Sequence, residues 1–355
     1  MNRRNFLHFS LFTPFAVGIK HSFAEASDQN IQDSNWRTFE IRYEVDLSRR
    51  IGSGRLWLPI PQDMGDYQRF VKLSWNGDTK NSFLYRDQMY GANIFFTQWE
   101  KASPRLTLNT TVSVCDRTIA TTQRRPYDLS SETLYLQPTE HMPTDGIVLS
   151  TANSIVDNTM NIDDKAKAIY EWIVDNTFRD PQTRGCGMGD IKFMLETGDL
   201  GGKCADINSL FVGLARAVGI PARESYGVRV AQSKYLESLG ASGDISKAHH
   251  CRAEYFSPLH GWTAVDPADV RKAVLQEKLP LDSPEIKSLR NYLFGNWEMN
   301  WIGFNRARDF KLMSSSFGAI PYLMYPYAET ETKILDGRDP EDFNFSMSSA
   351  EITPA

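Results

Sequence analysis

Between residues 36 and 120 the chain alternates. Thr38–Val45 places Phe39, Ile41, Tyr43 and Val45 on one side and polar residues on the other, the period of a half-buried strand. Similar runs cover 55–60, 93–99 and 106–114, with turn residues at Ile51-Gly52-Ser53-Gly54 and Trp75-Asn76-Gly77-Asp78. Short strands separated by turns predict a small antiparallel β-sandwich over 36–120. Residues 121–150 carry Pro126, Pro138 and Pro143 with little periodicity and read as a connector. The period then changes. Ala166, Ile169, Tyr170 and Ile173 fall at helical spacing, with Asn161 or Asp163 as cap. Ile207, Leu210, Phe211, Leu214 and Val218 line one face of a second helix, which Gly219 ends and Pro221 stops. Strand-like runs return at Arg223–Ala231, His250–Phe256 and Gly261–Asp266, the last two joined by a turn at Ser257-Pro258-Leu259-His260.

The pattern therefore predicts an α+β protein: a sandwich at 36–120, a mixed core at 151–275 and an extension at 276–355. Ten aromatic residues from Tyr292 to Tyr327 crowd the extension, and packing over the core is their expected role. Residues 329–355, polar and acidic, read as a loose tail. No repeat of 20–50 residues is visible. Composition changes little in this picture. With 41% apolar and 23% charged residues the chain is ordinary globular material, and 355 residues suffice for about two cores. A net charge of −5 argues against nucleic acid, which would require a basic face.

The first 26 residues read as an address. Arg3-Arg4 precede Phe6-Leu7 and a weakly apolar run to Ile19, with Lys20 behind it and small residues at Ala24 and Ala26 for cleavage. The stretch resembles a twin-arginine export signal, ahead of a general secretory signal with two chance arginines. Cleavage after Ala24 removes three basic residues and takes the net charge to −8. No later segment reaches 18 apolar residues, so no membrane anchor is expected after cleavage, and the location expected is periplasmic or secreted.

The candidate chemistry lies in the core. Cys204 falls in the first turn of a helix, after Gly201-Gly202-Lys203. Unpaired N–H groups and the positive end of the helix dipole favour its thiolate, the nucleophilic form. A buried structural cysteine is the competing reading, and position alone does not separate the two. Folding 250–266 about Pro258 sets His250 across from Asp266 on one sheet face, while His249 turns to the other. A carboxylate beside an imidazole fixes its tautomer and supports its protonated form. On a hairpin such a pair is also a common surface contact.

At these residues the chain resembles the bacterial transglutaminase-like superfamily. Gly201-Gly202-Lys203-Cys204-Ala205-Asp206, running through Leu210-Phe211 to Gly219-Ile220-Pro221, is similar to its nucleophile helix. His250–Phe256 is similar to its histidine strand, and Gly261-Trp262-Thr263-Ala264-Val265-Asp266-Pro267 to its aspartate strand. The resemblance spans roughly 160–272. It implies a papain-like core, an N-terminal β-domain, and Cys204 as nucleophile, His250 as base and Asp266 as its orienter. It implies acyl transfer from an amide in a protein, peptide or envelope substrate: hydrolysis first, transfer to an amine or a non-catalytic binding role as alternatives. Cys251 and Arg252 depart from the small and aromatic residues many members carry after the histidine. No acidic cluster has calcium-loop spacing, and no cofactor or metal is expected. Zinc held by Cys186, Cys204, Cys251 and His249 or His250 is the rival, but no cysteine pair has the close spacing of structural zinc sites. A disulfide is a better use than zinc for the spare thiols in an oxidising compartment, and Cys186–Cys251 is the first pair to test.

Overall fold

The alternation of β1 (Trp36–Asp46) buries Phe39, Ile41, Tyr43 and Val45, each at most 3% exposed. In the computed structural model, which describes residues 36–48, 52–77, 81–101, 105–119 and 129–353, β1 sits inside a five-stranded sheet. The leader and residues 121–128 of the connector lie outside the described residues. β2 (Gly54–Pro59), β5 (Asn93–Trp99) and β6 (Arg105–Cys115) form where alternation predicts them. Two further strands, β3 (Gln68–Gly77) and β4 (Asn81–Arg86), form where no strand is expected. Most of their side chains are exposed or half-buried, so their pairing leaves little hydrophobic signature in the chain.

β6 pairs antiparallel with β1 and with β3, while β5 pairs with β2 and with β4. The two sheets meet where Trp75 packs edge-on against Phe95, ring centres 5.3 Å apart, and where the Tyr43 hydroxyl donates to Pro59 O at 3.0 Å. This is the expected sandwich, but residues 36–120 do not complete it.

α1 (Ile162–Asn176) opens the mixed core. The Asn161 side chain accepts from the Asp164 N–H at 2.9 Å and caps it. α2 (Cys204–Ala217) is buried along nearly its whole length and ends before Gly219, whose φ of +80° suits a glycine. It packs on a four-stranded antiparallel sheet. That sheet runs β9, β8, β7, β10, from β7 (Ala222–Arg229), β8 (His249–Ser257), β9 (Gly261–Val265) and β10 (Trp301–Asn305). α3 (Pro267–Gln276) follows β9 directly.

The C-terminal residues overturn the expectation of a loose tail. β11 (Tyr327–Thr330) pairs with β2, and β12 (Asn344–Ile352) pairs with β1 over nine residues. Without β12 the long β1 would carry an open edge, and its unpaired N–H and C=O groups account for the return of the chain. The described residues belong to one compact unit. A buried ionic knot joins its parts. Glu254 of β8 binds Arg117 at 2.5 Å, Arg223 of β7 at 2.8 Å and Arg306 at 2.9 Å. Burial presses the Glu254 carboxyl toward protonation, but the three guanidinium groups hold it well below the usual carboxylate range.

Candidate active site

Cys204 is the first residue of α2, so its own N–H and those that follow begin the helix. The approach to it is built by the glycine-rich loop 185–189. The Asp206 carboxylate accepts from Lys203 N at 2.9 Å, Gly189 N at 2.9 Å and Met188 N at 3.0 Å, and so pins the loop against the helix start. At Gly187, with φ +91°, a Cβ would stand 1.8 Å from an Asp206 oxygen, so no side chain fits there. The loop brings Cys186 beside Cys204, and Ala205 N–H donates to Cys186 O at 2.9 Å.

All four cysteines are free, so the candidate Cys186–Cys251 disulfide does not form. Both thiols lie near Cys204 instead, and Cys186 Sγ donates to His249 O at 3.4 Å. Tyr325 donates to Cys186 Sγ at 3.0 Å. Burial pushes the Cys204 thiol up. Hydrogen bonds from Cys186, Cys251 and His250, with the charge of His250, more than offset this and hold it well below the ordinary thiol value. Cys186 is driven well above that value by its bond to Cys204 and by burial, and Cys251 chiefly by burial, so both remain donors.

His250 Nε2 lies 2.7 Å from Asp266 Oδ2, and both residues are buried. The pair forms by a route other than the one expected. β8 and β9 pair Ala253 with Val265 through Ser257 with Gly261, which centres the turn on Leu259 rather than Pro258. Asp266 is therefore not a strand residue opposite His250. It follows the last paired residue and caps α3, its Oδ1 accepting from Asp269 N at 3.1 Å with Pro267 at the first helical position. The shift moves the pairing by two residues and keeps the shared face, because the side-chain period of a strand is two. One oxygen thus fixes the helix start and the other holds the imidazole.

Pattern reading missed the shell around this pair. Asn208 Nδ2, one turn along α2 from Cys204, reaches Asp266 Oδ1 at 3.3 Å. Asp269 Oδ1 lies 3.4 Å from His250 Nε2 and is held at 2.5 Å by the buried Arg229. Arg252, one of the departures from the family pattern, sets its Nε 3.6 Å from Asp266 Oδ2. The run Asp266-Pro267-Ala268-Asp269 is the signal available beforehand, a cap and Pro at a helix start with an acid in the first turn. Burial and Arg229 oppose a charge on His250, but Asp269 and Asp266 outweigh them and raise its pKa. With Nε2 committed to Asp266, Nδ1 is the nitrogen left for the thiol. A lowered thiol beside a raised imidazole favours the thiolate–imidazolium form.

His249 turns away from this pair, as alternation requires. Its ring lies 4.3 Å from that of Tyr325, and neither nitrogen has a hydrogen-bond partner. Burial pushes its pKa down to about 4. Among the described residues, three metal-ligand atoms come within 4.8 Å of one another at His250, Asp266 and Asp269. Arg229 already neutralises that group, and the three thiols form no such cluster. Cys204 and His250 open onto a cleft of about 850 Å³, walled partly by Tyr325, Phe343 and Phe345. The aromatic extension packs, as expected: Trp297, Trp301 and Phe304 are buried. Tyr325 goes further and reaches the site.

Residues 149–267 match the family model described as the transglutaminase-like superfamily. A protein of Haemophilus influenzae described as "Uncharacterized protein" is 37% identical over 95% of this chain and 99% of its own length. Among solved structures, a "putative cysteine protease" from Cytophaga hutchinsonii superposes with a TM-score of 0.55 at 14% identity, over 91% of this chain and 93% of that one. That likeness speaks for the fold. Among the described residues no helix is long and apolar enough to cross a membrane.

Proposed function

The chain belongs to the transglutaminase-like superfamily, and from that premise we propose that it is an exported cysteine hydrolase of amide bonds in a protein or peptide. The observation that carries the reading is the opening of Cys204, at a helix N-terminus, onto one cleft with His250, which lies 2.7 Å from Asp266.

In the proposed reaction the Cys204 thiolate attacks the amide carbonyl carbon. Helix N-terminal N–H groups stabilise the negative oxygen that develops. His250 gives its proton to the departing amine nitrogen as the C–N bond breaks, leaving a thioester on Sγ. Water then attacks the thioester and His250 takes its proton. The C–S bond breaks, releasing a carboxylic acid and restoring the thiolate. Asp266 keeps the imidazole oriented and balances its charge throughout. Export by a twin-arginine signal in residues 1–26 is part of the same proposal.

Labelling with a thiol-directed peptide warhead, followed by intact mass and peptide mapping, tests the reading. One adduct on Cys204, absent in Cys204→Ala, is expected, together with release of amine and acid from an amide substrate. Release of amine with incorporation of an added primary amine in place of acid would make the protein a transferase. No labelling at Cys204 would favour a binding protein instead.

A further inference from the structure

The cleft beside Cys204 is lined by seven basic residues and one acidic residue, Asp244, on a chain whose net charge is −5. Three of the seven already face a carboxylate: Arg229 that of Asp269, while Arg184 and Arg338 share that of Asp336. The Asp244 carboxylate is turned to Ser246, accepting from its N–H at 2.9 Å and its hydroxyl at 2.6 Å. Arg179, Lys203, Lys247 and Lys272 remain, and among the described residues none of them has a carboxylate within ion-pair distance. Such a surplus on an acidic protein is a local field directed at a ligand.

The fold gathers three of these cations around the thiol. Arg179 lies on a two-residue strand, Phe178–Arg179, that pairs in parallel with Gly201–Gly202, so its backbone stands opposite Gly202. Lys203 comes next in the chain, and Cys204 after it. Lys272 projects from α3, the helix that Asp266 caps, and lines the same cleft. Burial and the neighbouring Arg229 push its pKa down to about 7, although Asp269 and Cys204 pull the other way. A half-buried ammonium without a paired anion is costly, and a bound carboxylate would relieve it. The groups an amide-cleaving thiol meets within one or two residues of its target are peptide side chains, so the complementary anion is an aspartate or glutamate carboxylate.

We propose that Arg179, Lys203 and Lys272 form a subsite for the side-chain carboxylates of an acidic peptide, presented across the cleft to Cys204. The proposal rests on the reading of Cys204 as nucleophile only for what happens after binding. Its test is therefore made without turnover.

Fluorescein-labelled hexaglutamate is titrated into full-length mature Cys204→Ala protein and followed by anisotropy, with hexalysine and a Gly-Ser hexamer as controls. Hexaglutamate should bind at least about tenfold more tightly than either control, and added salt should weaken it by screening. Lys272→Gln and Arg179→Gln, made singly in the same background, should each weaken it about tenfold with an unchanged melting temperature. Lys203→Gln provides a third, independent variant should one of them fold poorly. Equal binding of the three peptides, or affinity indifferent to all three substitutions, overturns the subsite. Displacement by inorganic phosphate at millimolar concentration would show a generic anion site and overturn the peptide assignment. In wild-type protein, hexaglutamate should also slow iodoacetamide alkylation of Cys204. A subsite that binds while Cys204 forms no acyl adduct would sink the catalytic reading and leave this one standing. An active enzyme indifferent to substrate charge would do the reverse.

Discussion

At the scale of single residues, the three site side chains carry unequal weights. Cys204 makes the covalent bond in the proposed reaction, so Cys204→Ala should abolish turnover. Asp266→Asn keeps the cap on α3 but loses the charge beside His250, and should lower kcat by on the order of 10²–10⁴, about 3–5 kcal/mol of barrier. His250→Ala should fall between them. Iodoacetamide rate against pH gives a second view: wild-type Cys204 should alkylate well below the pH of a free thiol, about 8.5, and His250→Ala should lose that advantage. Unchanged thiol reactivity in His250→Ala would remove the histidine from the mechanism. His249 makes a different prediction. Its folded pKa of about 4 lies below the ordinary 6.5, so the unfolded chain binds the proton first. Stability is intact above pH 6.5 and is lost as pH falls from 6.5 toward 4. His249→Phe, which keeps a ring against Tyr325, should resist acid better than wild type by about 2–3 kcal/mol at pH 4.5 and be near it at pH 7.5. Urea unfolding of both proteins at the two pH values measures this, and parallel losses would count against it.

At the scale of elements, the molecule is joined by charges buried between strands. Glu254 on β8 is fully buried and binds guanidinium groups from β7, from the end of the sandwich and from the segment after β10. Removing one partner of a buried ion group leaves the others uncompensated, so Glu254→Gln should cost about 3–5 kcal/mol. The carboxyl is depressed in the folded state, so its contribution is present above the unfolded carboxylate pKa and is lost as pH falls through the lower folded value. The variant's deficit in urea midpoint should therefore be largest at neutral pH and shrink in acid. A deficit under 1 kcal/mol at neutral pH would mean the three arginines find other partners. The site depends on these elements, because β8 carries both Glu254 and His250.

At the scale of the whole molecule, the proposed export rests on the paired arginines of the leader. Replacing both Arg3 and Arg4 by lysine should leave the uncleaved precursor in the cytoplasm, read by fractionation and blotting. Normal export of that variant, stopped by blocking the general secretory route, would mean the leader was misread. The C-terminal return of the chain matters at this scale too. β12 completes the sheet that β1 begins, and Phe343 and Phe345 at its start wall the cleft. The wall of the site is thus anchored in the sandwich.

The chain's own pattern determined the α+β class, the sandwich strands β1, β2, β5 and β6, and the helix that begins at Cys204. It also put His250 and Asp266 on one face. These features are local: a period of two or 3.6, a cap, a glycine stop, and the parity of a strand. Tertiary structure decided the rest, because contacts between distant segments leave no period. Nothing near residues 344–352 says that they pair with residues 38–46. The three thiols come near one another because loop 185–189, α2 and β8 converge, and all three stay free. Even the His250–Asp266 bond owes its distance to an event outside the hairpin. Asp266 leaves the strand to cap a helix, and packing of that helix against α1 and α2 sets where its carboxylate stands.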